Sequence, residues 1–90
     1  MTATLESELE VGIRLPNGAT VVACSKMGDR VPGETYAWWV AICVREPENF
    51  HRYVVWNVVA RSEGFMAEQG DYLHSLVEAI GVFQNRGGSL

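Results

Sequence analysis

Cys43 and His51 are the side chains whose types and spacing could support catalysis. A cysteine acts as a nucleophile when a base lies within hydrogen-bond reach and a further group orients that base. The two residues belong to neighbouring predicted strands, and a tight turn over residues 46–50 places them about one cross-strand pair apart on the same face. No oxyanion-hole segment or acidic orienting residue accompanies them. The sequence therefore favours a surface histidine and a packed cysteine over a catalytic pair.

The acidic residues form no recognisable metal or catalytic motif. Three glutamates alternate over residues 6–10, and Glu46 and Glu48 flank Pro47 in a turn. A solvated acidic surface is the simpler interpretation of both groups. The sequence also contains no zinc-protease helix, phosphate-binding glycine loop or calcium loop. We therefore expect a protein that is not an enzyme, with no catalytic residue, no bound metal and no cofactor.

The two cysteines, Cys24 and Cys43, each fall within a strand-like run. Neither belongs to a C-x-x-C pair, so a redox or metal motif is not indicated. Two interpretations stay open. Two small buried side chains in a reducing compartment are the favoured one, and a cross-strand disulfide is the other.

Composition and charge narrow the classes of partner. The 90 residues are 48% apolar and 20% charged, as in ordinary soluble globular proteins. A formal net charge of −4, with only seven Lys and Arg residues, argues against a nucleic-acid partner. Residues 1–10 are polar and acidic, unlike a secretory signal, and no run approaches the ~20 apolar residues of a membrane helix. We expect a cytoplasmic protein that contacts neither nucleic acid nor a membrane.

The alternation of apolar and turn residues predicts five strands followed by one helix. Residues 1–10 are predicted to form a flexible N-terminal arm, and residues 11–90 a single α+β domain. The predicted strands are Val11–Leu15, Ala19–Ser25, Tyr36–Arg45, Arg52–Arg61 and Phe65–Leu73. Asn17-Gly18 predicts a type I′ hairpin turn, and Gly70 predicts a bulge in the last strand.

The C-terminal segment predicts the helix. Ser75 and Glu78 have the spacing of a capping box. The residues after Ser75 include an apolar stripe at helical spacing: Leu76, Val77, Ile80 and Phe83. Gly81 suggests that the helix approaches the sheet closely, and Arg86 suits the negative end of the helix dipole. We therefore expect an antiparallel sheet with one helix on one face, in the order β-β-β-β-β-α.

The two central predicted strands are apolar on both faces. Alternation allows the faces to be separated. We assign the even positions of both strands to the face beneath the helix, which places Trp38 and Trp56 in the core. The odd positions leave four side chains on the second face, and we predict these as protein-binding residues: Trp39, Tyr53, Val55 and Val59.

An apolar second face of this size predicts an interaction site if water would otherwise reach it. Several coverings stay open. The N-terminal arm or the first hairpin could lie over the face, or the assumed register could be slipped. A second copy of the protein could form a homodimer there, or a different protein could bind.

Three motifs carry a resemblance to a known group. They are L-P-N-G-A-T-V-V-A at Leu15–Ala23, R-Y-V-V-W at Arg52–Trp56, and G-D-Y-L-H-S-L-V-E-A-I-G-V-F at Gly70–Phe83, followed by Arg86. This layout resembles a group of small uncharacterised proteins of actinobacterial phages and prophages. Those proteins pair an N-G-A strand and a Y-V-x-W strand with a closing G-x-Y and a short acidic helix ending in F-x-x-R.

The resemblance covers about residues 12–86 and implies a shared fold, with no activity to transfer to any residue. This protein departs from the group in its less acidic helix and in its double tryptophan, Trp38-Trp39. The resemblance implies a phage accessory protein that acts on a host component in the host cytoplasm. We therefore predict a non-enzymatic protein that binds a host protein, or itself, through the aromatic sheet face. The alternative is a small enzyme or ligand-binding protein that uses Cys43 and His51.

Overall fold

The computed structural model describes residues 8–28, 37–61 and 64–90 of the protein. These residues form an antiparallel four-stranded sheet in the order β1-β2-β3-β4, followed by one helix. The elements are β1 (Thr20–Gly28), β2 (Trp38–Val44), β3 (Tyr53–Arg61), β4 (Gly64–Leu73) and α1 (Leu76–Asn85). The α+β class with a C-terminal helix is confirmed, but the described sheet has four strands and not five. The predicted start of the third strand, Tyr36, lies outside the described residues, as do residues 1–7 of the predicted arm.

The first predicted strand, Val11–Leu15, is not a strand in the structure. It joins the sheet through a single bridge between Arg14 and Thr20. Gly12 has a φ of +98°, which interrupts the extended backbone that a strand requires. The Gly12 amide still donates to the carbonyl of Val21 over 2.8 Å, so the bent segment stays attached to the start of β1.

A tight turn links this segment to β1, as the Asn17-Gly18 pair predicts. The Gly18 amide donates to the Leu15 carbonyl over 2.8 Å, and the Leu15 amide donates to the Ala19 carbonyl over 2.7 Å. Gly18 has a φ of +93°, whereas Asn17 has no positive φ. The connection is therefore a type I turn followed by a left-handed glycine, and the predicted type I′ turn is wrong. The Asn17 side-chain oxygen accepts a hydrogen bond from the Ala19 amide, which stabilises the turn.

The pairing of β2 with β3 decides which side chains share a face. Trp39 lies opposite Val58, and Ile42 lies opposite Val55, so even positions of one strand meet odd positions of the other. Directly opposed residues point to the same face. The connection over residues 46–51 sets this register, because a connection of even length pairs opposite parities. Our assignment of even positions to the helix face is therefore right for Ile42 and wrong for β3.

Each face of the sheet carries its own buried core. The core beneath α1 contains Val40, Ile42, Val55, Ala79 and Phe83. The second-face core contains Leu9, Leu15, Ala19, Val21, Trp39, Ala41, Cys43, Val54, Trp56 and Val58. The second face is thus covered by residues 9–21 of the same molecule. This double burial explains why both central strands are apolar on both faces. Such a pattern is more common in parallel sheets, which are usually covered on both faces.

The start of α1 has the predicted capping box. The Glu78 amide donates to the Ser75 hydroxyl over 3.2 Å, and the Ser75 amide donates to the Glu78 carboxylate over 3.3 Å. Of the predicted apolar stripe, Phe83 is fully buried. Leu76 and Val77 are exposed instead, and Val77 lies on the side of α1 opposite the fully buried Ala79. The stripe is therefore confined to the later turns.

The structural role predicted for Gly70 is present in the structure, whereas the role predicted for Gly81 is not. Gln69 and Gly70 of β4 lie opposite the single residue Trp56 of β3, so the predicted bulge is confirmed. A Cβ atom at Gly70 would lie 2.5 Å from Nε1 of the Trp56 indole, which leaves no room for a side chain. Gly81 is exposed with no such neighbour within 4 Å, so its predicted close approach to the sheet is wrong.

Candidate functional site

The four predicted binding residues do not form one exposed face. Trp39 is 2% exposed and lies in the second-face core, whereas Val55 lies in the core beneath α1 and the half-buried Tyr53 packs against it. Val59 is also buried and lies opposite Trp38, on the other face from Trp39. The odd positions of β2 and β3 are on different faces because of the register. A protein-binding role for these residues stays a prediction, but they do not share the exposed face on which that prediction was based.

The placement of Trp56 beneath the helix is also wrong. Trp56 lies in the second-face core, where its ring meets Tyr72 edge-on with centroids 6.1 Å apart. Trp39 makes a similar edge-on contact with Phe65 at 5.9 Å. Trp38, the other predicted core tryptophan, is only half-buried. The aromatic side chains of the central strands are therefore structural elements of the fold.

Cys43 and His51 are not arranged as a nucleophile and its base. Cys43 is fully buried in the second-face core, and burial, with a smaller contribution from Cys24, raises the pKa of its thiol to about 12. Such a thiol stays protonated at neutral pH, and the thiolate is the reactive form. His51 instead packs against Phe50 and His74. Cys24 and Cys43 are both free thiols, but only Cys43 is fully buried, whereas Cys24 is half-buried.

The side chains that the fold does bring together are Phe50, His51 and His74, which we call the aromatic–histidine cluster. The ring centroids of Phe50 and His74 are 4.7 Å apart, and those of His51 and His74 are 4.4 Å apart. Phe50 is 78% exposed. Two of these residues come from the connection between β2 and β3, and His74 comes from the junction of β4 and α1. The cluster is a solvent-facing aromatic group at one end of the sheet.

Hydrogen bonds between side chains and the backbone hold the cluster in place. The Arg45 guanidinium donates from Nε and Nη2 to the His51 carbonyl, over 3.1 and 2.8 Å. The Asn49 side chain donates to the Glu46 carbonyl, which closes the turn before Phe50. On the helix side, the His74 amide donates to the Glu78 carboxylate over 3.1 Å. The cluster is thus anchored from both segments that contribute to it.

Exposed apolar side chains follow His74 in the first turn of α1. Leu76 and Val77 follow His74 by two and three residues, and Val77 is 79% exposed. Sequence reasoning missed this region because Phe50 falls in a polar turn and the helical stripe assigned both apolar residues to the core. No local sequence signal marks this region, because it forms only when Tyr53 pairs with Leu73 and brings the start of β3 beside the end of β4.

The close approach of the two histidines raises the question of a metal site. Two imidazoles are fewer than the four ligands of a structural zinc site. Among residues 8–28, 37–61 and 64–90, no group of three or more His, Cys, Asp or Glu side chains is placed to hold a metal ion. The arrangement suits contact with aromatic or apolar groups, with ring nitrogens available for hydrogen bonds.

Arg86 joins the end of α1 to the bulge of β4. Its guanidinium donates to the Asn57 side chain over 3.0 Å, and to the Gln69 carbonyl and the Asp71 carboxylate over 2.7 Å each. The contact is more specific than the dipole interaction predicted from the sequence. Gly70 lies in the same bulge, so the F-x-x-R and G-x-Y motifs meet there. These motif residues maintain the fold and are not part of the candidate site.

The fold and the site define an α+β protein whose sheet is covered by a helix on one face and by its own N-terminal segment on the other. Within the described part of the sequence, no helix is long and apolar enough to span a membrane. Comparison with protein-family models, curated proteins and solved structures finds no match for this protein. Its function is therefore argued from the site.

Proposed function

We propose that this protein is a non-enzymatic accessory protein that binds a protein partner through the aromatic–histidine cluster. The observation that carries the proposal is the state of Phe50, which is 78% exposed and yet held in contact with two imidazole rings. An ordered aromatic side chain in water offers a large apolar area with little conformational freedom to lose on binding. Aromatic side chains of this kind are enriched in the cores of protein interfaces.

The surroundings of Phe50 support the same function. Leu76 and Val77 extend the apolar area along the first turn of α1. His51 and His74 add ring nitrogens that can pair with polar groups of a partner. The sheet faces are already covered within one molecule, so the contact surface moves from the predicted sheet face to this end of the protein.

A host protein is the partner that we favour. The resemblance to actinobacterial phage proteins supports a phage-encoded accessory protein that meets its target in the host cytoplasm. Self-association through the same cluster is the alternative, because a symmetric contact of two exposed Phe50 rings would also cover them. A catalytic role for Cys43 is disfavoured by the burial of its thiol.

Replacement of Phe50 by serine is expected to weaken partner binding by about tenfold or more, as for a central aromatic contact. Folding stability should change by about 0.5 kcal/mol or less, because the side chain is largely exposed. Affinity capture from host lysate, followed by titration of the captured protein, measures the first effect. Light scattering over a range of protein concentrations separates a host partner from self-association.

Met66→Ser is the matched control. Met66 is also an exposed apolar residue, but it lies opposite Val59 at the other end of the sheet. It should leave binding unchanged. Equal binding by wild type and Phe50→Ser, or an equal loss with both variants, would contradict the proposed surface.

A further inference from the structure

A polar cleft of ≈ 250 Å³ lies between the turn over residues 15–19 and the connection between β2 and β3. The polar residues that line it are Arg14, Asn17, Arg45, Glu46 and Asn49. In a protein with a net charge of −4 and seven basic residues, two arginines line this one cleft against a single acid. Guanidinium groups are well suited to bind carboxylate and phosphate groups.

Arg45 is held in a fixed orientation at the cleft. Two of its nitrogens donate to the His51 carbonyl, and its guanidinium lies 5.0 Å from the centroid of the Tyr72 ring. A guanidinium carries five N–H donors, so this single carbonyl does not use its full capacity. The anchored group therefore presents further donors without the entropy loss of a free arginine side chain.

Arg14 already contacts a carboxylate in the cleft, but weakly. Its Nη2 lies 3.4 Å from Oε2 of Glu46, and the two side chains are 66% and 54% exposed. Charge-assisted hydrogen bonds between such groups are normally about 2.7–2.9 Å long. An exposed pair at the longer distance contributes little, and a better-placed carboxylate can displace it.

We propose that this cleft binds a carboxylate group between Arg14 and Arg45, with Glu46 as an internal competitor. Asn17 uses its side-chain oxygen on the Ala19 amide, and its NH₂ group supplies a further donor at the rim. The carboxylate can come from the C-terminus of a polypeptide or from an acidic side chain. This inference is independent of the proposed function, since a small carboxylate tests it without any protein partner.

The test is an NMR titration of the ¹⁵N-labelled protein with sodium acetate, compared with sodium chloride at equal ionic strength. We expect acetate to shift the Gly18 and Asn49 amides and the Arg45 Nε–H signal, and chloride to leave them in place. Arg14→Gln should weaken acetate binding about tenfold, as for the loss of a charge-assisted contact. Glu46→Gln should strengthen binding, because the competing carboxylate is removed.

Arg52→Gln is the matched control for charge. Arg52 lies in the connection between β2 and β3 and donates to the Arg45 carbonyl, but it does not line the cleft. Its loss should reduce acetate binding by less than about twofold, the long-range effect of one screened charge. Arg45→Gln, checked first for an intact spectrum, should match Arg14→Gln.

Short peptides identify the source of the carboxylate. Acetyl-Ala-Ala with a free C-terminus is compared with its amide, and with acetyl-Ala-Glu-Ala amide. Preference for the free C-terminus assigns the site to polypeptide ends, and preference for the glutamyl peptide assigns it to acidic side chains. Equal shifts with the uncharged amide, equal shifts with chloride, or equal weakening by Arg14→Gln and Arg52→Gln would overturn the proposal.

Discussion

Replacement of Trp39 by glutamate is expected to unfold the domain at neutral pH. Trp39 is 2% exposed in the second-face core, so the variant loses a large buried ring. Removal of a buried tryptophan side chain typically costs about 3–5 kcal/mol, and an unpaired buried carboxylate adds to that cost. A domain of this size has a free energy of unfolding of only about 5–15 kcal/mol. Circular dichroism during thermal and urea unfolding measures the loss.

Val22→Glu is the matched control for this substitution. Val22 is an exposed apolar residue of β1, and the same glutamate there should change the free energy of unfolding by about 0.5 kcal/mol or less. A folded Trp39→Glu variant with altered self-association would contradict the structure. It would instead support the exposed aromatic face that the sequence predicts.

Replacement of Gly70 by alanine is expected to destabilise the protein by about 1–3 kcal/mol, the usual cost of overpacking a core. The new Cβ would lie 2.5 Å from Nε1 and 2.9 Å from Cδ1 of Trp56. The indole is buried against Tyr72, so it cannot rotate away without disturbing the second-face core. Urea unfolding monitored by tryptophan fluorescence measures the change.

Gly81→Ala is the matched control, because the same chemical change there should raise the free energy of unfolding instead of lowering it. Gly81 lies on the exposed side of α1, where an added methyl group would meet no neighbour within 4 Å, and alanine favours the helix by about 0.5–1 kcal/mol. We therefore expect stabilisation. If both variants shift the urea midpoint equally, the contact between Gly70 and Trp56 is not present in solution.

Local sequence signals predicted much of the fold. The capping box at Ser75 and the turn at Asn17-Gly18 each depend on residues close together in the sequence. Short-range hydrogen bonds and steric limits decide such features, so spacing alone reveals them. The α+β class followed from these elements taken together.

The assignment of faces failed because the register between two strands cannot be read from either strand alone. The length of the connection over residues 46–51 sets the parity of β3 against β2, and a shift of one residue moves every side chain to the other face. The predicted strand at Val11–Leu15 bends at Gly12 instead of pairing. Ile13 and Leu15 of this segment, with Leu9, then cover the second face.

The candidate site was also invisible to local reasoning. Phe50 and His74 are far apart in sequence and meet only because β3 and β4 pair in register. Arg14 and Arg45 likewise line one cleft only after the first turn folds beside the β2–β3 connection. The sequence indicated association through aromatic residues on a sheet face. The surface that we propose for this association is instead the aromatic–histidine cluster.

The central claim is that residues 9–21 cover the second face within a single molecule, and thiol labelling of Cys43 tests it most directly. In a Cys24→Ser variant at low protein concentration, Cys43 is the one remaining thiol. Because Cys43 is fully buried and burial raises the pKa of its thiol, we expect labelling at about pH 8 to be more than about a hundredfold slower in the folded protein than in urea. Labelling of the folded protein at a rate close to that of the unfolded polypeptide would contradict the claim.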